Sequence, residues 1–391
     1  MQLHEIQRVL AELKLDGWLF FDHHERDPLA YRILGFRPAR HVTRRWYYFI
    51  PAHGEPMRLV HRIESGMLDA LPGGKTVYSS WQTQAEGLRG MLNGAKRVAM
   101  QYSPECAIPY VSMVDGGTVE LIRSFGPEVI SSADLIQLFE ARWSEAQRES
   151  HWEAGRRVDE VRRASFAEIG RQLKAGELVT EWTIKQFVLT SFERAGLFTD
   201  HGPIVAVNAN ASNPHYEPSQ ADNLPIRKGD VVLLDMWAKL KDPAEAVYYD
   251  ITWTGYAGAA APSEVVNVYN VVAGARDAAI QHVQSAVDSR ESLCGYEVDD
   301  ACRSHIVEHG FGEYFVHRTG HSIGQDVHGT GANMDNLETH DVRRIIPRTC
   351  FSIEPGIYLP KFGIRSEVNM YVGEHEAQVT GEKQSALVAI L

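Results

Sequence analysis

Apolar residues recur at helical spacing in Leu3, Ile6, Val9, Leu10 and Leu13, which predicts an amphipathic opening helix. Gly17-Trp18-Leu19-Phe20-Phe21 then reads as a strand, as do Trp46-Tyr47-Tyr48-Phe49-Ile50, ending at Pro51, Met57-Arg58-Leu59-Val60 and Arg97-Val98-Ala99-Met100. Helical stretches lie between them, so the first third predicts an α/β domain of modest size. The texture changes from about Trp143 to Leu173, where Val158, Val161, Ala164, Phe166, Ile169 and Leu173 recur among many Arg and Glu residues. That pattern predicts one long amphipathic helix, and a domain boundary at its start divides the chain into 1–143 and 144–391.

Beyond it, Val231 to Trp237 predicts a strand behind the turn residues Lys228-Gly229-Asp230, and Ala246 to Thr254 a second. Pro262 and Ser263 open a helix reaching about Asp288, another helix covers Val298 to Glu308, and three strand-like runs follow around Phe351, Ile364 and Ala377. Two domains are also what a length of 391 residues implies.

Composition, at 44% hydrophobic and 23% charged, is that of a globular protein. A net charge of −12 argues against nucleic acid or an anionic membrane as partner, since both call for basic surface. No stretch is apolar and long enough to span a bilayer, and the charged, amphipathic start is unlike a signal peptide, so the expected location is the cytoplasm. Cys106, Cys294, Cys302 and Cys350 are scattered and read as free thiols.

The chemistry begins with acids in apolar surroundings. Asp235 interrupts an apolar strand, and alternation places Tyr248, Asp250, Thr252 and Thr254 on one face of its neighbour. Arg365 and Glu367 share a face of a later strand by the same rule, and Glu354 ends the run Cys350-Phe351-Ser352-Ile353 before the turn Pro355-Gly356. Buried carboxylates need a cation, a hydrogen-bond network or a proton, and nearby Lys and Arg are too few to pair with all four. Any one of them alone reads best as a structural acid; together they favour a metal cluster. Segment 317–329 adds His317, His321 and His328 among glycines, which let backbone and substrate approach closely. The seven-residue gap from His321 to His328 disfavours an HExxH-type site. His215, in a polar loop, reads by itself as a surface residue.

These residues resemble the pita-bread metallopeptidases, the family of prolidase, aminopeptidase P, creatinase and methionine aminopeptidase. The motifs that match are Leu233-Leu234-Asp235, Tyr249-Asp250-Ile251-Thr252, Gly320-His321-Ser322-Ile323-Gly324 continuing to Val327-His328, Ile353-Glu354-Pro355-Gly356 and Arg365-Ser366-Glu367. An N-terminal domain, with Tyr31-Arg32-Ile33-Leu34-Gly35-Phe36 resembling its family counterpart, turns the resemblance away from methionine aminopeptidase and towards a bacterial Xaa-Pro dipeptidase. It implies a creatinase-like α/β domain followed by an α+β pita-bread catalytic domain with a curved, mainly antiparallel sheet. Departures from the family pattern are a longer loop at Asp242-Pro243-Ala244-Glu245 and Trp253 where many members carry Arg. Trp253 is expected to point away from the metals.

By this resemblance two divalent ions per chain, manganese foremost and cobalt, zinc or iron as alternatives, are held by Asp235, Asp250, His321, Glu354 and Glu367. A hydroxide shared between them would attack the scissile carbonyl. Glu354 would also move the proton to the leaving nitrogen. His328 and His215 would hydrogen-bond the substrate, and Arg365 would orient Glu367 or bind the substrate carboxylate, with Arg343 and Arg344 as rival anchors. The substrate class is a proline-containing dipeptide or short peptide, and the expected assembly a homodimer. Aminopeptidase P activity on longer peptides is the alternative. A metal-free binding module and creatinase-like hydrolysis rank lower, because none of the five acidic and histidine positions is replaced.

Overall fold

The computed structural model describes residues 2–37 and 41–391, in two compact units that divide between Glu140 and Ala141, slightly before the expected boundary. The first unit contains α1 (Leu3–Glu12), β1 (Gly17–Asp22), α2 (Pro28–Leu34), β2 (Trp46–Pro51), β3 (Met57–His61), β4 (Gly74–Tyr78), α3 (Trp81–Met91), β5 (Arg97–Met100), α4 (Gly116–Arg123), β6 (Glu128–Ser131) and α5 (Ala133–Ile136). Its six strands form one sheet in the order β4-β3-β2-β1-β5-β6. Every residue of β1 is buried because it is a central strand covered on both faces. Trp18 and Phe20 enter one core, while Leu19 and Phe21 enter the other.

The second unit opens with α6 (Glu145–Ala175), α7 (Glu181–Arg194), β7 (Leu197–Phe198), β8 (Ile204–Val207), β9 (Val231–Leu240) and β10 (Tyr249–Tyr256). The expected long helix is α6, started by a reciprocal Ser144–Gln147 capping box and stopped by Gly176 in the left-handed conformation. Its apolar stripe, including Ala154, Val158 and Ile169, packs with β9 and β10 in one core. Gly155 allows that approach, since a Cβ there would lie 2.7 Å from the Tyr249 ring. Arg162 lies 3.5 Å from the Trp253 ring centroid on this helix side of the sheet.

The unit continues with α8 (Ser263–Ser289), α9 (Gly295–Glu308), β11 (Ser322–Ile323), β12 (Thr349–Ile353), β13 (Gly356–Leu359), β14 (Phe362–Arg365), β15 (Val368–Val372), β16 (Ala377–Thr380) and β17 (Val388–Ala389). Ladders in this unit are antiparallel except for β10 with β17. The architecture is therefore the expected α/β domain followed by a mainly antiparallel α+β domain. Three details differ from the sequence reading. The second acidic strand begins at Tyr249 rather than Ala246, and the closing region holds six strands in place of three runs. Glu367 is in no strand: the chain leaves the β13–β14 hairpin at Arg365 and joins the β12–β15 ladder at Val368. Between them Glu367 donates its N–H to the Thr252 carbonyl (3.0 Å), which turns the backbone towards β10. The four cysteines are free.

Candidate metal centre

Antiparallel pairing sets Asp235 on β9 opposite Thr252 on β10. Asp250, two residues before Thr252, shares its face, so both aspartates project to one side of the sheet. Asn369 on β15 clamps Asp250 from the other side, donating to its carbonyl (2.8 Å) and accepting from its N–H (3.2 Å). The turn after β14 brings in Glu367, whose Oε2 accepts from Thr252 Oγ1 at 2.8 Å.

The histidine segment reaches the same place by close backbone packing. A Cβ on Gly320 would lie 1.8 Å from the Ser352 carbonyl oxygen, so only glycine lets this segment lie against β12. Ser352 accepts from the His321 N–H (3.0 Å) and donates to Glu354 Oε1 (3.0 Å), fixing both residues. His321 Nδ1 faces the Ser322 carbonyl at 3.1 Å, which assigns it the proton and leaves the Nε2 lone pair free. Nε2 lies 3.4 Å from Glu354 Oε1 and 3.6 Å from Asp250 Oδ2.

Asp250, His321 and Glu367 each offer a ligand atom within 4.8 Å of the others, and all three are buried. Asp250 Oδ1 and Glu367 Oε1 are buried with no hydrogen-bond partner. Burial first, and then the Glu354 charge, pushes the Asp250 carboxyl well above its ordinary range. Burial and then Asp250 do the same to Glu367. Asp235 rises to about 7, chiefly through burial, with Arg365 opposing the shift. Glu354 goes the other way: burial raises it, but His321, His317 and Arg365 together hold it below its ordinary value. Orphaned oxygens, mutually repelling acids and one imidazole lone pair form a donor set that fits a hard divalent cation.

Arg365 occupies the remaining side. It ion-pairs with Asp235 and donates to Thr252 Oγ1 (2.9 Å) and Tyr358 Oη (3.1 Å). Tyr358 Oη also lies 2.7 Å from His317 Nε2. His328 packs edge-on against His321, with ring centroids 4.3 Å apart. The neighbouring His321 imidazole, then burial, lowers its pKa to about 3, and His215 contributes to the same shift. His215 itself is exposed, in the loop expected for it.

The three arginines therefore separate. Arg343 is 4% exposed and fully engaged, bidentate to Asp341 (2.9 and 2.6 Å) and donating to the Thr330 carbonyl (2.7 Å). A guanidinium held this way has no edge left for a substrate carboxylate, which corrects the expectation for Arg343. Arg344 is exposed beside it. Sequence reasoning gave no role to Tyr358, Ser352, Asn369 or Glu181. Fully buried Glu181 accepts from the N–H groups of Val207 and Leu224 (2.7 Å each) and from Tyr216 Oη (2.6 Å), anchoring the loop that carries His215. The one sequence signal for these residues is polarity in an apolar run, as at Ser352 and Asn369.

The family model for metallopeptidase family M24 matches residues 149–374. A Mycoplasma pneumoniae protein named "Putative Xaa-Pro aminopeptidase" is 33% identical over 224 residues, 56% of this chain and 58% of that protein. A Xaa-Pro dipeptidase of Lactobacillus delbrueckii subsp. lactis is 32% identical over 177 residues, 43% of this chain and 41% of that one. The match thus spans about half the length of these curated relatives. In overall fold the chain is similar to dipeptidase PepE from Mycobacterium ulcerans, with a TM-score of 0.72 at 21% identity, covering 99% of this chain and 96% of that one. It is also similar to a prolidase from Thermococcus sibiricus, with a TM-score of 0.66 at 23% identity and coverage of 99% and 98%.

Proposed function

The chain belongs to metallopeptidase family M24, and on that footing we propose that it hydrolyses Xaa-Pro dipeptides using two divalent ions, manganese foremost. The observation that carries the reading is the pair of orphaned, buried oxygens, Asp250 Oδ1 and Glu367 Oε1, beside the free lone pair of His321. Asp235, Asp250, His321, Glu354 and Glu367 would hold the ions. Bound there, the ions supply Lewis acidity to the scissile carbonyl and lower the pKa of a water.

The remaining steps fall to side chains. Glu354, the one acid of the cluster held below its ordinary pKa, is ionised and ready to take a proton from that water. It then delivers the proton to the prolyl nitrogen, which cannot leave as an anion. His328, with its pKa pushed to about 3, is neutral at working pH and donates an N–H to the substrate carbonyl, with His215 beside it. Arg365 is a positioning residue: through Asp235 and Thr252 it sets the geometry of two carboxylates. Arg344 is the arginine left to meet the substrate carboxylate. The 1–143 and 144–391 division, cytoplasmic location and a homodimer complete the proposal. Among the described residues, no helix is long and apolar enough to cross a membrane.

Aminopeptidase P activity is the second reading, motivated by the name of the Mycoplasma relative. Both are tested by assaying a Xaa-Pro dipeptide against a longer Xaa-Pro peptide with Mn²⁺, alongside elemental analysis of the purified protein. Preference for the longer peptide selects aminopeptidase P, and full activity in protein free of metal overturns both.

A further inference from the structure

The first unit holds a polar cleft of about 570 Å³, opening at one edge of its sheet. Pairing directions make β1, β3, β4, β5 and β6 parallel, with β2 reversed among them. From β1 the chain runs outward through β2, β3 and β4, then returns to place β5 on the other side of β1. The cleft is built from the carboxyl ends of β1, β3 and β4, the residues entering β2, and the start of α4. In open α/β sheets ligands bind outside the carboxyl ends of the strands, the end on which this cleft lies.

Its lining is cationic in a chain whose net charge is −12. Arg26, Arg44 and Arg45 face it together with His23 and His61, against a single described carboxylate, Asp115. The Arg44 guanidinium donates to the Thr43 carbonyl (3.1 Å) and hydroxyl (3.2 Å), and its charge helps hold the neighbouring Glu64 carboxyl below its ordinary pKa. The loops presenting these groups are held from behind. Asp22 accepts the N–H groups of Glu25 (3.0 Å), Arg26 (2.7 Å) and Asp27 (3.0 Å), and Glu64 accepts those of Thr43 (2.9 Å) and Arg44 (3.1 Å). Burial, then the neighbouring His24, Arg26 and Arg45, hold His23 below its ordinary pKa, as a crowded cationic site requires. Trp81, 73% exposed, forms part of the same wall, with Ser80 at the amino end of α3.

We propose that this cleft binds a small phosphorylated molecule bearing a planar ring, of the nucleoside monophosphate class. Three guanidiniums line the cleft with one carboxylate, while the oxygens of Asp22 and Glu64 behind it are taken up by loop N–H groups; the guanidinium forks are therefore left to match the several oxygens of a phosphate. A bare phosphate would leave most of the cleft empty, since sites of this size, roughly 300–1,000 Å³, suit whole small molecules. The exposed indole supplies a stacking face for the ring.

The test is isothermal titration calorimetry of the metal-loaded full chain with AMP, adenosine and inorganic phosphate. AMP should bind more tightly than either fragment. Arg45→Glu and, separately, Arg44→Glu should each weaken AMP at least about tenfold, the scale of a lost charge-assisted hydrogen bond. Trp81→Ala should bring AMP towards the affinity of phosphate, while hydrolysis of a Xaa-Pro dipeptide stays at its original rate in all three variants. AMP binding that is absent, or that persists unchanged in both arginine variants, overturns the proposal; the latter assigns the ligand to the metal centre. A change of sedimenting mass in the arginine variants with AMP affinity intact also overturns it, making the cleft a seat for a second copy.

Discussion

Two regions of this chain gather like charges, and they differ in burial. The acids of the second unit lie 2–8% exposed at Glu367, Asp250 and Asp235, whereas Arg26, Arg44 and Arg45 of the first unit are exposed. Water solvates the guanidiniums, so the cleft is stable whether or not an anion fills it. No water reaches Asp250 Oδ1 or Glu367 Oε1, and leaving such oxygens unpaired and charged costs several kcal/mol. Their carboxyls therefore rise far above the ordinary range or take up a cation. Charge count alone does not separate a required ligand from an optional one; desolvation does.

The sharpest way to break the comparison is to remove the acid that behaves differently from its neighbours. Glu354→Gln keeps the shape and loses the ionised oxygen, so turnover should fall on the order of 10²–10⁴-fold with little change in KM. Steady-state kinetics with metal content measured alongside decides this, and near-normal turnover would make Glu354 structural.

Breaking Arg343 should act on stability, because Arg343→Ala strands buried Asp341 and should cost about 3–5 kcal/mol in denaturant unfolding. A Xaa-Pro dipeptide and its C-terminal amide should suffer alike in any activity that survives. Arg344→Ala should instead hurt the acid and spare the amide. If it does not, neither Arg343 nor Arg344 reads the carboxylate.

How far these residues were legible follows from the range over which each interaction acts. Asp235, Asp250, His321, Glu354 and Glu367 stood out because each interrupts a local pattern, and the structure brings them to one place. The long helix was legible for the same reason, since its stripe and its Ser144 cap are local. Arg343 was misread because its partners, Asp341 and the Thr330 carbonyl, are fixed by the fold and not by the charge of the run Arg343-Arg344. Glu367 was placed on a strand because alternation carries through Ser366, and it ignores the exchange of partners between two ladders. Tyr358 and Glu181 gave no signal, as each works through hydrogen bonds that span distant segments.

Removing metal sharpens the contrast through pH. Asp235 moves from an ordinary 3.8 to about 7 in the folded, metal-free chain. Between those values the folded state holds a proton that the unfolded chain has released, so the contribution of Asp235 to stability falls as pH rises through the window, and Asp250 and Glu367, raised as well, act in the same direction. Melting curves of chelator-treated protein should show a fall of several degrees from about pH 4 to 7. Saturating Mn²⁺ should raise the melting temperature most at the upper end, where the acids are ionised. A metal-free protein whose stability rises across this range would show that the carboxylates are already satisfied.

The smallest effect belongs to the cleft, and its smallness is the point. Arg45→Glu reverses an exposed charge among like charges, which relieves repulsion while removing a solvated group. Exposed charges interact weakly across water, so unfolding free energy should move by no more than about 0.5 kcal/mol, with any shift towards stabilisation. Glu367→Gln removes a carboxyl that burial holds well above its ordinary pKa, so the metal-free folded chain no longer bears the cost of protonating or charging a fully desolvated group. It should stabilise the metal-free chain at pH 7 far more than Arg45→Glu does, while weakening metal binding. Parallel denaturant titrations of both variants after chelation measure the difference directly. Equal shifts would mean that burial does not distinguish the two sites, and the case for a required cation at the acidic centre would fall with it.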